Sequence, residues 1–329
     1  MRLAIRFMAA ALLALMASTS ALAQKERGSG EHASLGSQAS PVLGLALSAD
    51  GKTAATANQD GMVRLHDLVT GKVSTSLPKD RGPITCISFS SDGRVLASGC
   101  GESAMIEIRD SKSLDEYLRC AHGGVSSIAF ARDGMTLVSG GSDKVVRLWD
   151  LRTGNLRANL TDHHAEVSAV AFRPDGQVFA SASVDGMVVL WDTALAKSRA
   201  TLTGQRAAVY TIAFAPDGRR LFSAGQEGII RSWELPECHA RNPLRLEGGG
   251  VYALAISPDG RTLAAGCADG AVRLWDLVKE REWAQLRGHG QAVSAVAFAG
   301  DGQALVSGSH DGTIKIWHPP TAIAQGGRR

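Results

Sequence analysis

Apolar residues alternate with small and polar ones in short runs along most of the chain, and each run stops at a turn signal. The run VSAVAF at 167–172 recurs at 125–130, 209–214, 251–256 and 293–298, with looser copies at 84–89 and 42–47. Each copy leads into an Asp-Gly turn, at Asp50, Asp92, Asp133, Asp175, Asp217, Asp259 and Asp301. These aspartates are 42 residues apart, with a single step of 41. Self-similarity at about 40–45 residues with four short strands per unit predicts propeller blades. The expected fold is therefore all-β: a seven-bladed β-propeller of four-stranded antiparallel blades.

One unit shows why each piece is needed. Arg173-Pro174-Asp175-Gly176 places Pro, Asp and Gly where a type I turn favours them. The turn joins an inner strand ending at Phe172 to a second strand at 178–181. A turn at Val184-Asp185-Gly186 leads to a third strand, 187–191, and a fourth ends near Leu202. The blade repeats fall at about 41–82, 83–124, 125–166, 167–208, 209–250, 251–292 and 293–318. The position before the last residue of each inner strand is always small (Ala46, Ser88, then Ala at 129, 171, 213, 255 and 297), as strands crowded around one axis require. The last repeat has no outer strand of its own, because Pro319-Pro320 resists pairing. Residues 28–35 align with an outer strand, 153–160, and are expected to close the ring, which would otherwise leave unpaired sheet edges.

The first 23 residues read differently. Arg2 and Arg6, an apolar stretch from about Phe7 to Ala17, and Ala21-Leu22-Ala23 ahead of Gln24 form the pattern of a cleaved secretory signal. The apolar run breaks at Ser18-Thr19-Ser20, short of the roughly 20 residues that span a bilayer. The expected mature chain is secreted, periplasmic or extracellular, with no membrane insertion after cleavage; 24–320 form the propeller and 321–329 a disordered tail. Losing two arginines leaves 33 Lys+Arg against 32 Asp+Glu. So neutral a chain has no global attraction for nucleic acid, and none is expected as a partner. Five irregularly spaced cysteines do not read as a disulfide framework. Cys86 and Cys100 are the one pair that a hairpin would bring together.

Third strands end in Trp149-Asp150, Trp191-Asp192, Trp233-Glu234, Trp275-Asp276 and Trp317-His318, degraded to His66-Asp67 and Arg109-Asp110 in the first two blades. In these endings the chain resembles the WD-repeat family, in a bacterial secreted form, over about Gly28 to His318. The family pattern adds a Gly-His before each inner strand; only Gly288-His289 is intact here, with Asp162-His163 a near copy. The resemblance implies a buried hydrogen-bonded chain of His163, Asp185, Ser181 and Trp191, and a second of His289, Asp311, Ser307 and Trp317. Gln205 and Glu227 interrupt the set in the fifth blade, Ala265 in the sixth, and the second blade, lacking both turn Asp and Trp, is expected to be the least regular. The resemblance further implies a monomeric, non-catalytic scaffold of the bacterial cell envelope. Its protein or peptide partner would meet the face carrying the loops between blades and between second and third strands. By alignment that face carries Arg81, His122, His164 and Arg206, and also Tyr210, Gln226, Tyr252 and His310. Tyrosine and arginine are the types that dominate interface energetics.

A propeller enzyme of lactonase or hydrolase type needs acids and histidines aimed into the channel from several blades. The inner strands offer chiefly Ala, Ser, Gly, Cys and Thr. No G-x-S-x-G, H-E-x-x-H or phosphate loop is present. No catalytic residue, metal or cofactor is therefore expected. A Tol-system-like periplasmic propeller is the third reading, disfavoured by the five Trp-Asp-type endings. The basic residues Arg64, Arg147, Arg231, Arg273 and Lys315, one per third strand, read as inter-blade pairing and solvation rather than as a ligand ring.

Overall fold

Each inner strand begins with a Val or Ile whose side chain has no water to face, because the next sheet stands against it. In the computed structural model, which describes residues 31–77 and 82–318, seven antiparallel sheets follow one another around a ring. The expected signal (1–23) and tail (321–329), and Arg81, lie outside the described residues. The fourth blade is representative, with strands Val167–Phe172, Val178–Ser183, Val188–Asp192 and Lys197–Leu202 from axis to rim. Its second strand is buried along its whole length, while the outermost is exposed over its first three residues and alternates only from Arg199 to Leu202. A sheet sandwiched on both faces reads as a continuous apolar run; only the rim strand, with one edge in solvent, shows alternation.

Neighbouring blades interlock through one repeated contact. The first residue of each inner strand (Val42, Ile84, Val125, Val167, Val209, Val251, Val293) is at most 3% exposed. Val125, Val167, Val293 and Val42 stand over Gly99, Gly140, Gly266 and Gly308 of the preceding blade's second strand. A Cβ at any of these glycines would lie within 3.0 Å of the valine side chain. The other three blades carry Ala57, Ala182 and Ala224 there, all fully buried. Small-against-branched packing at this level sets how closely the sheets approach.

The seventh blade is assembled from both ends of the described chain. Val293–Phe298, Leu305–Ser309 and Thr313–Trp317 are joined at the rim by Glu31–Ser37, antiparallel to Thr313–Trp317. Leu35 is 5% exposed and packs on Val306, Ile314 and Ile316, in the place that Leu160 and Leu202 occupy in their own blades. The inner strands of the first and seventh blades lie side by side, and the Ser294 hydroxyl donates to the Val42 carbonyl.

Two expectations need correction, and one open question is answered. The second blade forms a regular four-stranded sheet; the irregular one is the fifth, whose outer strand is split into His239–Ala240 and Leu244–Arg245. Pro236 and Pro243 flank the first piece, and neither can donate to a ladder. Cys86 and Cys100 share a hairpin but face opposite ways. Cys86 packs towards Val125 and Ile128 of the third blade, Cys100 towards Ala55 and Val63 of the first, and both thiols are free. Burial pushes the Cys86 thiol up to about 12. Finally, four of the five basic third-strand residues pair within their own blades, each with the acid of the adjacent tight turn. Arg64 meets Asp60 at 2.6 Å, Arg147 meets Asp143 at 2.6 Å, Arg231 meets Glu227 at 2.8 Å and Arg273 meets Asp269 at 2.7 Å. A four-residue spacing across the turn brings them together without any neighbour's help.

Candidate partner-binding face

Beneath the loops at one end of the ring, polar side chains are buried and have to satisfy one another. In the fourth blade the Trp191 indole N–H donates to Ser181 Oγ at 2.8 Å. Ser181 has one proton of its own, and it faces His163 Nε2 at 2.7 Å. The remaining ring nitrogen, Nδ1, therefore carries the imidazole proton and points at the Asp185 carboxylate, 3.3 Å away. Asp185 also accepts the backbone N–H of His164 at 2.8 Å and of Met187 at 2.8 Å. One carboxylate thus ties the loop that enters the blade to the turn between its second and third strands. Burial on its own would raise the Asp185 carboxyl; these donors more than offset it and hold it below the ordinary carboxylate value.

The seventh blade repeats the chain with one variation. Trp317 donates to Ser307 at 2.8 Å, and Ser307 meets His289 Nε2 at 2.6 Å. His289 Nδ1 lies 2.7 Å from Thr313 Oγ1, which in turn donates to Asp311 at 2.6 Å. The direct His289–Asp311 separation is longer, 3.6 Å.

A third complete chain stands in the third blade, where sequence reasoning places none. His122 was expected on the exposed face, but it is 1% exposed. Its Nδ1 meets Ser139 Oγ at 2.6 Å, its Nε2 faces Asp143 at 3.3 Å, and Trp149 donates to the same serine at 2.8 Å. The repeat is one residue short here, so His122 stands three residues before its inner strand instead of four. That displacement hides it from alignment, and its ring is turned end for end relative to His163. Burial, with Arg147 nearby, drives the His122 imidazole down to about 4, and burial likewise lowers His163.

Other blades build substitutes. In the fifth, the Gln205 amide donates to Ser223 at 2.6 Å and accepts from Arg231, which also holds Glu227. In the first, Gln38 lies 3.0 Å from His66 Nε2, and Arg64 bridges Gln38 to Asp60. The second reverses the charges: Glu107 takes the basic position and bonds Arg109, which replaces the Trp, at 2.6 Å. The sixth is left unfinished. Ala265 supplies no hydroxyl, and the buried Trp275 indole nitrogen has no partner among the described residues.

Above this layer, six of the expected partner-binding residues reach the surface. His164, Arg206, Gln226 and Tyr252 are exposed, while Tyr210 and His310 are half-buried. Three of them converge. Tyr210 and Tyr252 stack with ring centroids 5.4 Å apart and planes 2° from parallel, and His310 approaches Tyr252 at 6.2 Å. They stand at the mouth of an axial cavity of about 490 Å³. The second residue of every inner strand lines it: Thr85, Ser126, Ser168 and Ser294 carry hydroxyls, Leu43 is aliphatic, and Tyr210 and Tyr252 alone are aromatic. Their 42-residue separation puts them at one level of adjacent blades. Glu166, which sequence reasoning did not single out, also lines the cavity and accepts a hydrogen bond from Ser126 at 2.6 Å. It precedes an inner strand by one residue, a position with no motif to mark it. Among the described residues no group of three or more His, Cys, Asp or Glu is placed to hold a metal ion, and no helix is long and apolar enough to cross a membrane.

The family model described as "WD domain, G-beta repeat" matches residues 115–150, 154–192, 196–234, 242–276 and 281–318. That of the anaphase-promoting complex subunit 4 WD40 domain matches 10–92. An uncharacterized WD repeat-containing protein of Synechocystis is 30% identical over 124 residues, 37% of this chain and 35% of the relative. WD repeat-containing protein 1 of Bos taurus is 30% identical over 123 residues, 36% of this chain and 20% of that protein. Transducin beta-like protein 3 of Rattus norvegicus is 29% identical over 116 residues, 34% and 14% respectively. The chain thus spans about a third or less of the length of these relatives.

Two consequences of the buried chains are measurable. Ala265→Ser offers the Trp275 N–H an acceptor in the geometry seen at Ser139, Ser181 and Ser307. It should raise unfolding free energy by about 1 kcal/mol in denaturant titration; a loss of stability would show that the sixth blade has no room for the oxygen. The second concerns pH. An unfolded histidine titrates near 6.5 and His122 near 4, so the unfolded state binds the proton first as pH falls. The stability this residue contributes is full above pH 6.5 and is lost on descent towards 4. His122→Gln, copying Gln205, should reduce the slope of unfolding free energy against pH in that window by up to about 1.4 kcal/mol per pH unit. An unchanged slope would exclude His122 as a source of the dependence.

Proposed function

The chain belongs to the WD-repeat family, and on that footing we propose that it is a non-catalytic binding platform which offers the loop face at the tyrosine end of the channel to a protein or peptide partner. The observation that carries the reading is a rigid face with graspable chemistry on it. Carboxylates at Asp143, Asp185 and Asp311 anchor loops to tryptophan-centred chains, while His164, Arg206, Gln226 and Tyr252 stand in solvent above them and Tyr210 is half-buried against Tyr252. Preformed loops lose little conformational freedom on binding, which favours affinity. The cavity lining is dominated by small hydroxyl and aliphatic side chains, with one carboxylate and one histidine. That lining supports the platform reading over acid–base or metal-assisted chemistry, which draws on acids and histidines from several blades.

The setting we propose is the bacterial cell envelope. The support is the signal-like start of the chain, Arg2 to Ala23, and a mature charge balance with no bias towards polyanions. The proposed working form is a monomer, its ring closed by its own strand 31–37.

The test is capture of partners from envelope extracts with the tagged mature protein, alongside Arg206→Glu and His164→Glu. Both changes lie on the exposed face and leave the buried chains intact. A partner retained by the parent protein and lost from both variants supports the platform; a partner retained equally by all three places binding elsewhere on the molecule.

A further inference from the structure

The ring's inner surface is nearly uniform except along one arc. At the second inner-strand position, five blades present a hydroxyl or an aliphatic side chain, and two adjacent blades present tyrosine. The two rings are parallel within 2° and stack on each other, which covers one face of each, and Tyr252 remains 39% exposed at the channel mouth with His310 6.2 Å from its ring. One blade before Tyr210 stands Glu166, whose Oε1 is oriented by the Ser126 hydroxyl at 2.6 Å. It is the single carboxylate in a lining that contains no lysine and no arginine. The cavity, about 490 Å³, falls within the range that accommodates a whole side chain or small ligand.

Resting on the platform reading above, we infer that the channel mouth is a receptor for an arginine side chain of the partner, with its guanidinium stacked on the Tyr210–Tyr252 tier and paired to Glu166. The chemistry is complementary on three counts. A cation meets the negative face of an aromatic ring. A guanidinium is planar and stacks where an ammonium does not, and its forked N–H donors match a carboxylate. The hydroxyls of Ser168, Thr85 and Ser294 are committed as donors to the backbone carbonyls of Val209, Val125 and Val42, so they present oxygen lone pairs to a guest that can only donate. An acidic guest would meet Glu166 with the same sign and find no lysine or arginine in the lining.

The probe is an acetylated, amidated pentapeptide with one arginine between glycine and serine residues, titrated into the mature protein by calorimetry or by perturbation of tyrosine resonances. Two companions replace the arginine with lysine or with citrulline, which is isosteric and uncharged. Saturable binding in the order arginine, lysine, citrulline is expected, with about a tenfold loss for Glu166→Gln and for Tyr252→Ala. Tyr252→Phe keeps the ring and should retain binding within about twofold. Each variant's unfolding midpoint is checked against the parent, and Glu166→Gln, at an exposed position, tests the charge without touching the core. Equal binding of arginine and citrulline peptides, preference for lysine, indifference to both losses, or no saturable binding at millimolar peptide overturns the inference. Absence of arginine binding with partner capture still abolished by Arg206→Glu would sink this inference and leave the platform standing.

Discussion

A tryptophan indole and an imidazole buried under a surface loop have nowhere to send their N–H groups except to each other's neighbours. The chain Trp–Ser–His–Asp is the solution in the third and fourth blades, and in the seventh with Thr313 between the His and the Asp. Its direction follows from the donor inventory: the indole only donates, the serine passes the one proton it has, and the carboxylate only accepts. The far end of the chain lies in a tight turn and grips backbone N–H groups of the entering loop, such as those of His164 and Gly290. Burial deep in one sheet therefore fixes the position of loops at the surface. The partner-facing surface and the tolerance for exposed Tyr and Arg above it depend on this connection, while the low imidazole pKa values of His122 and His163 come from burial, against Asp partners that raise them.

Where the set is broken, other side chains carry the same connection by different chemistry. Gln205 in the fifth blade offers both a donor and an acceptor and so stands in for an imidazole, with Arg231 linking it to Glu227. The second blade exchanges the usual signs, with a buried carboxylate at Glu107 and a guanidinium where the indole would be. The sixth leaves its buried tryptophan N–H without an acceptor among the described residues. Around the axis the ring is held by a second device, branched residues seated over glycine or alanine of the blade before. Every blade meets its neighbours in this way, and of the inner-strand positions that line the cavity the second alone carries aromatic side chains, Tyr210 and Tyr252.

Much of this was written in the chain. The 42-residue period gives the blade count, the Asp-Gly turns give the strand ends, and Pro319-Pro320 requires a closing strand from elsewhere. Two chains of buried side chains follow from aligned positions. The third escaped because a one-residue deletion moves His122 relative to its inner strand, so that a core residue reads as a loop residue. The substitutes at Gln38 and Gln205 escaped because glutamine carries no signature of the role; only the geometry shows an amide standing where a ring would. The basic residues were read as bridges between blades, yet a four-residue spacing across a tight turn pairs four of the five at home. Glu166 is legible only in three dimensions, since it takes its meaning from Ser126 one blade earlier and Tyr210 one blade later.

If buried chains position the face, breaking one from below should loosen its own loop and no other. Native-state amide hydrogen exchange on Ser181→Ala reads this directly. The variant leaves Asp185 and every surface residue in place but removes the oxygen that joins Trp191 to His163. The His164 amide, held by Asp185 at 2.8 Å, should then exchange faster, while the Gly290 amide, held by Asp311 at 2.6 Å in the seventh blade, keeps its rate. Unchanged protection at His164, or equal acceleration at both amides, would contradict the claim that each blade's buried chain holds its own part of the face.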